Sequence, residues 1–410
     1  MSLDIASIDE FDVSGKYVLL RVDINSPLDP DTRQIANENR LNKSLPTITD
    51  LADAGARLVI IAHQGDALDY HNFVSLREHA DKLTEKLGRP VGFIDDVAGP
   101  AARARITELG DGEILLLDNI RIYSEEMTTF EKSVKLTPAE MGKTYLVRHL
   151  APLFDLYVND AFAAAHRRAP SLLAFQELLP SAGGRLLIRE VEMLESVSGN
   201  PQRPCVFVLG GLKISDAFGM LNQVLSEGTA DSVLTSGVTG EVMLLASGAR
   251  LGAGSESFIQ DRGLDSFIPL AEEYLAKFPD QILMPSDVAI AKDGRFELNV
   301  DELPVDELII DIGEKTITRY EQVIAEAQTV FVNGPAGIYE NPEGAAGTRR
   351  LWNAVANTSA TTVIGGGDTV ASAAAFIDLA DVSYVSTGGG ALIRYLSGQS
   401  LPLLEAMRRR

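Results

Sequence analysis

The sequence predicts an α/β protein: two doubly wound parallel-sheet lobes joined by a helical hinge. Three observations predict it. Short Val/Ile/Leu-rich runs alternate with amphipathic segments from end to end, the pattern of buried strands covered by helices on both faces. At 410 residues the chain exceeds what one hydrophobic core normally serves. The polar residues after the apolar runs also change midway, from charged side chains to glycines.

In chain order, the strand-like runs are YVLLRVD (17–23), ARLVIIAH (56–63), EILLLDN (113–119), LYVNDAF (156–162), CVFVLGG (205–211), DSVLTSG (231–237), QILMPSD (281–287), TVFVNGP (329–335), TTVIGGGD (361–368) and SYVSTGGG (383–390). Helical patterns lie between them, among them LPTITDLADAG (45–55), LREHADKLTEKLG (76–88) and GRLLIREVEMLESV (184–197). The last follows LPSAGG (179–184), read as a flexible lead, and precedes NPQRP (200–204), so the lobe boundary falls there. Glu190 lies on this hinge helix; an ordinary surface glutamate would fit the pattern equally well.

Composition excludes several functions. A formal charge of −22 opposes a general nucleic-acid binder, whose footprint is basic. The first twenty residues carry acids where a signal peptide is basic and apolar, and no uncharged run approaches the ~18 residues of a membrane span. A soluble, cytoplasmic protein with no membrane or nucleic-acid partner is expected, as monomer or homodimer. The single cysteine, Cys205, rules out an internal disulfide and reads as a buried thiol. His63 and His166 follow strand-like runs, but the five histidines show no metal-ligand spacing.

In doubly wound sheets the functional residues gather at strand C-termini. In the first half these are Arg21, Asp23, Asn25, His63, Asn119, Arg121, Asn159, Asp160, His166 and Arg167, suited to gripping a compact anion. Alternation puts Arg21, Asp23 and Asn25 on one side, where a structural ion pair would explain them as well as a ligand. In the second half, Gly365-Gly366-Gly367-Asp368-Thr369 opens an Ala-rich helix after an apolar strand. Glycines there let backbone N–H groups reach a phosphate, Asp368 suits a nucleotide's Mg²⁺, and Thr369 reads as a helix cap. Ser386-Thr387-Gly388-Gly389-Gly390 repeats the arrangement, and Gly210-Gly211-Leu212-Lys213 adds a lysine able to neutralise a transferring phosphoryl group. Asn333-Gly334-Pro335 leads to Glu340, a candidate ribose acceptor. Tight turns and surface charges are the plain alternatives for each. No P-loop, Rossmann, nucleophile-elbow or H-E-x-x-H motif is present, and no paired acid and base. Phosphoryl transfer to an already ionised acceptor needs none.

Together RVDINSPL, NRLNKSLPTI, AHQG, LLDNIRIYSEE, YVNDAFAAAHR, GGLKISD, VNGPAGIYE, GGGDT and STGGGALIRYLSGQSLP resemble, in order, the phosphoglycerate kinase family, with wording nearest its archaeal branch. The resemblance implies a phospho-acid substrate lobe at residues 1–180, with 396–410 packing back on it, a hinge helix at 181–199, and a nucleotide-binding lobe at 200–395. It implies reversible transfer between 1,3-bisphosphoglycerate and ADP, with ATP/ADP and Mg²⁺ as partners. Arg21, Asp23, Asn25, Arg40, His63, Arg121 and Arg167 match its substrate positions. Gly210, Gly211, Lys213, Gly237, Asn333, Pro335, Glu340, Gly365, Gly366, Gly367, Asp368 and Thr369 match its nucleotide positions, with Asp368 on the metal. Arg40, Lys213, Gly367 and Gly390 form the catalytic set. Three departures stand out: Asp66 where the family has a phosphate-gripping arginine, Arg168 where a histidine is lost nearby, and Ala217 where many members have a second lysine. They leave open a kinase acting on a related phospho-acid, and a non-catalytic nucleotide-binding scaffold is the reading from outside enzymology.

Overall fold

The computed structural model describes residues 4–409 and divides into two compact units. The first is drawn from residues up to Glu192 together with the segment from Ser400, and the second runs Met193–Gln399. Among the described residues no helix is long and apolar enough to cross a membrane.

The first unit is built on β1 (Tyr17–Arg21), β2 (Arg57–Ile61), β3 (Val91–Ile94), β4 (Ile114–Leu117), β5 (Leu156–Asn159) and β6 (Ser181–Gly183), all parallel, in the order β3-β4-β2-β1-β5-β6. The central strands are buried on both faces, as continuous apolar runs such as ILLL require. Leu20, Val22, Ile24, Leu41, Ile48, Leu58, Ile60, Leu116 and Val158 share one core. Ser-Ala-Gly-Gly, expected as a flexible lead, is instead the edge strand β6, whose Ala182 pairs with Val158. The C-terminal segment docks on this unit: Leu403 N donates to Ala165 O.

Helix Asn39–Asp53 buries Leu41, Thr47, Ile48 and Leu51 and carries Arg40 in its first turn. Thr47 ties it down, donating to Asp160 Oδ2 at 2.6 Å and accepting from Arg185 N at 2.9 Å. Helix Arg185–Ser198 starts on the same carboxylate, with Leu187 N donating to Asp160 Oδ1 at 2.9 Å. It continues past Glu192 into the second unit, and Glu190 on it is buried rather than a surface residue.

The second unit is built on β7 (Cys205–Leu209), β8 (Ser232–Thr235), β9 (Ile282–Leu283), β10 (Asp287–Ala291), β11 (Arg295–Asn299), β12 (Ile309–Ile312), β13 (Thr329–Asn333), β14 (Thr361–Ile364) and β15 (Tyr384–Val385). Six of them form a parallel sheet in the order β15-β14-β13-β7-β8-β9 over a core that includes Val208, Ile317, Tyr320, Trp352 and Val332. Cys205 is buried on β7, and burial pushes its thiol up to about 12. Beside the expected parallel sheet the second unit carries a three-stranded antiparallel sheet, β11-β10-β12. Its β10–β11 hairpin turns through Asp293 (φ 53°) and Gly294 (φ 114°), the left-handed conformations that Asp-Gly turns favour.

Candidate active site

In the first unit the strand C-termini lie level, because Arg21 is in register with both Ile61 and Asn159. Successive strands part to either side of β1 here, the switch point where open α/β sheets bind ligands. Asp23 is buried and accepts from Arg40 at 2.7 Å and from Asn25 N at 3.1 Å. Burial alone would raise its carboxyl; Arg40, ahead of the other basic groups, brings it down to about 2. Only one nitrogen of Arg40 is so engaged, and its side chain is 34% exposed.

Arg21 is only 1% exposed and spends its guanidinium internally: on Ser171 Oγ at 3.2 Å, on Val22 O, and on His63 Nδ1 at 2.9 Å. Arginine can only donate, so Nδ1 accepts. Burial holds His63 well below its ordinary value, which keeps the ring neutral and able to accept. These two residues, anticipated as ligand contacts, are buried and bonded to each other. Beside them Asn25 Oδ1 accepts from Gly65 N at 3.1 Å, and Arg121 donates to Gly65 O. Gly65 is required there: its φ is +57°, and a Cβ would fall 2.2 Å from the backbone carbon of Asn72.

Asp66 faces inward. It accepts from Thr128 Oγ1 at 2.8 Å and Thr128 N at 3.2 Å, and lies 3.6 Å from Arg121. Partial burial opposes its charge, but the Thr128 hydrogen bonds and Arg121 hold its carboxyl below the ordinary value. Arg167 is paired with Glu131 at 3.1 Å and also donates to Thr128 Oγ1 at 3.3 Å. Short polar links by way of Gly65, Asp66 and Thr128 therefore join five of the residues picked from the sequence, Asp23, Asn25, Arg40, Arg121 and Arg167, while Arg21 and His63 form a separate bonded pair whose charges act on Asp23. Sequence reasoning missed Thr128 and Glu131, which sit in a short helix, Thr128–Ser133, with no strand-end signal.

In the second unit the switch point falls between β7 and β13. Gly210 N donates to Asn333 O and Gly211 N to Pro335 O, both at 2.9 Å, so the two strand-end loops run against each other. A Cβ on Gly210 would lie 2.3 Å from Pro335 O, and one on Gly389 would lie 2.7 Å from Gly366 Cα. These glycines are demanded by neighbouring backbone. Gly367 differs, since nothing lies within 4 Å of its Cβ direction. It opens helix Gly367–Ala374, whose N-cap Gly366 supplies no side-chain cap, leaving the first-turn N–H groups free for an anion. Thr369, expected as that cap, instead accepts from Gly334 N at 2.9 Å. Asn333 Nδ2 reaches Gly365 O at 3.0 Å.

A cavity of about 510 Å³ opens here, a size that suits a small ligand. Gly210, Gly211, Lys213, Gly237, Asn333, Pro335, Glu340, Gly366, Asp368 and Thr369 line it; Gly365, Gly367 and Gly390 do not. Lys213 and Asp368, both well exposed, form a 2.9 Å ion pair at its polar end. Val238, Leu244, Val288, Leu308 and Ile310 make an apolar wall that the sequence did not reveal, because these residues read as ordinary core. Ala217, where a second lysine was expected from the resemblance, is fully buried and adds no cation.

Among the described residues no group of three or more His, Cys, Asp or Glu is arranged to hold a metal. Mg²⁺ fits nonetheless, since with a nucleotide it needs only one or two carboxylates, the rest of its shell being phosphate oxygen and water. Asp368, 70% exposed, is such a carboxylate.

Comparison with known proteins agrees along the whole chain. The phosphoglycerate kinase family model matches residues 8–399. The phosphoglycerate kinase of Methanothermobacter thermautotrophicus is 42% identical over 408 residues, covering 99% of this chain and 97% of that one. That of Methanococcus maripaludis is 42% identical over 406 residues, covering 98% and 97%. The crystal structure of phosphoglycerate kinase from Pyrococcus horikoshii superposes with a TM-score of 0.86 at 35% identity, covering 98% of each chain. With two switch-point sites on two parallel sheets, and matched by sequence and by structure over nearly its full length, this chain belongs to the phosphoglycerate kinase family.

Proposed function

We propose that the chain catalyses reversible phosphoryl transfer between 1,3-bisphosphoglycerate and ADP, giving 3-phosphoglycerate and ATP, as a cytoplasmic monomer or homodimer. The observation that carries the reading is the Lys213–Asp368 pair beside the uncapped helix start at Gly367, on the switch point of a 510 Å³ cavity.

The nucleotide's base lies along the apolar wall and its phosphates meet the helix N-terminus, whose dipole and free N–H groups favour negative charge. Glu340 receives the ribose hydroxyls. Asp368 is the residue that would hold the nucleotide's Mg²⁺, which would neutralise charge on the phosphates. Lys213 acts on the transferring phosphoryl group, where its charge is worth most in the transition state. On the first unit Arg40 meets the carboxylate end of the phospho-acid. Asp23 holds one side of the guanidinium and leaves the other nitrogens for the ligand. Asn25, Arg121 and Arg167 flank it, and the buried Arg21–His63 pair keeps that floor rigid. The acceptor is a carboxylate, already ionised at neutral pH, so no general base is needed. In-line transfer requires the two bound substrates to meet with water excluded.

A coupled assay with ATP, Mg²⁺ and 3-phosphoglycerate tests the reading. Lys213→Ala is expected to lower kcat by about 10²–10³-fold, since one charge on the developing phosphoryl is lost. Absence of turnover in the parent chain, or an unimpaired Lys213→Ala, would overturn it.

A further inference from the structure

Two arginines on the phospho-acid face, Arg121 and Arg167, are each matched to a carboxylate of this chain. Arg121 is 7% exposed and faces Asp66 at 3.6 Å; Arg167, with its side chain 12% exposed, holds Glu131 at 3.1 Å. One residue joins the two pairs, because Thr128 donates to Asp66 at 2.8 Å and receives Arg167 at 3.3 Å. Glu131 is further fixed by Arg168 N at 2.5 Å. Both acids are mostly buried, their side chains 16% exposed, so water screens their fields weakly. Each sits where it cancels a guanidinium at the range over which a phosphate dianion would be felt.

We infer that Asp66 and Glu131 are specificity-determining residues that weaken this face's hold on a phosphate dianion by keeping Arg121 and Arg167 in internal ion pairs. The inference rests on the reading that this face takes the phospho-acid. A phosphate entering here competes with two carboxylates already in place, and it gains only what it adds over them. A substrate of lower charge loses less by the same competition. The donor commitment is uneven: Arg121 Nε is buried without a partner, whereas Arg167 gives both Nε and Nη2 to Glu131 and Thr128. The Arg121 side is therefore the readier one, and Glu131 is the stronger brake.

The test is calorimetric titration of 3-phosphoglycerate into the nucleotide-free full chain, for the parent, Asp66→Asn, Glu131→Gln and Asp66→Glu. Removing either negative charge is expected to tighten Kd by roughly tenfold, while Asp66→Glu, which keeps the charge, stays near the parent value. A purely structural role would give the opposite direction, because losing the Thr128 or Arg167 tether would loosen the site and raise Kd. Unchanged or weaker binding in both neutral variants overturns the inference, as does absence of measurable binding in the parent and every variant. Glu131→Gln carries the test alone if Asp66→Asn does not fold. Turnover of the parent with ATP is measured separately, so failure of the proposed activity is distinguished from failure of this inference.

Discussion

Arg168 is exposed, and its guanidinium makes no ion pair among the described residues, while its neighbour Arg167 is tied to Glu131. It is a cation still available beside the proposed phospho-acid face, where Arg121 and Arg167 are already paired with carboxylates. Arg168→Ala is expected to raise the KM for 3-phosphoglycerate about three- to tenfold and to leave the KM for MgATP alone, as loss of one charge contact would. Steady-state kinetics check it, and an unchanged KM would remove Arg168 from the site. At this scale the sequence brought out polar residues that the structure packs close together, and said little of what each one touches. Arg21, Asp23 and His63 were legible as strand-end polar residues. That Arg21 and His63 would spend their polar atoms on each other depends on β1 and β2 lying side by side in register, which no local pattern encodes. Thr128 and Glu131 gave no signal, because they reach the site only through the folding of a distant loop.

Among elements, the glycine-rich turns illustrate how one residue type serves two physical ends. Gly210 has ordinary φ but no room, with Pro335 O 2.3 Å from where its Cβ would sit. Gly210→Ala should cost on the order of 1–3 kcal/mol through overpacking and should weaken nucleotide binding as the loop shifts. Gly367→Ala meets nothing within 4 Å and should leave stability unaltered, yet weaken the nucleotide, because its side chain stands where a phosphate approaches the helix start. Denaturant unfolding together with nucleotide titration separates the two, and equal stability losses would refute the distinction. In the sequence both looked like phosphate-binding glycines. All ten strand-like runs contain strands, since a buried parallel sheet writes itself as a continuous apolar run. Val91–Ile94, Ser181–Gly183 and the antiparallel β10–β12 group were not anticipated; they are short, small-residued or half-exposed. Only the Asp293-Gly294 turn offered a local cue to the hairpin.

For the molecule as a whole, burial of ionisable groups makes stability depend on pH in opposing ways. Burial, only partly offset by hydrogen bonds from Ser171 and the Arg21 charge, pushes Glu126 from 4.5 up to about 7. Between those values the folded chain holds a proton that the unfolded chain has released, so stability grows as pH falls from about 7 to 4.5. His79, with both ring nitrogens buried, is pushed by burial from 6.5 down to about 4 against a weaker opposing interaction with the Ile24 backbone, so its contribution is lost as pH falls from 6.5 to 4. Glu126→Gln should remove the first effect and leave the second. On going from pH 8 to 4.5, the parent should therefore gain about 3 kcal/mol relative to the variant. Urea unfolding at both pH values measures this, and a pH-independent difference would refute it. By itself the sequence determined the α/β class, two sheets' worth of buried strands and the family, because alternation, buried runs and motif wording are all local in the chain. The tertiary structure alone decided that Asp66 and Glu131 lie against Arg121 and Arg167, that Thr369 braces Gly334 rather than capping its helix, and that core-like residues wall a cavity. Each of these turns on distances of a few ångströms between segments far apart in sequence, and such distances are set by packing.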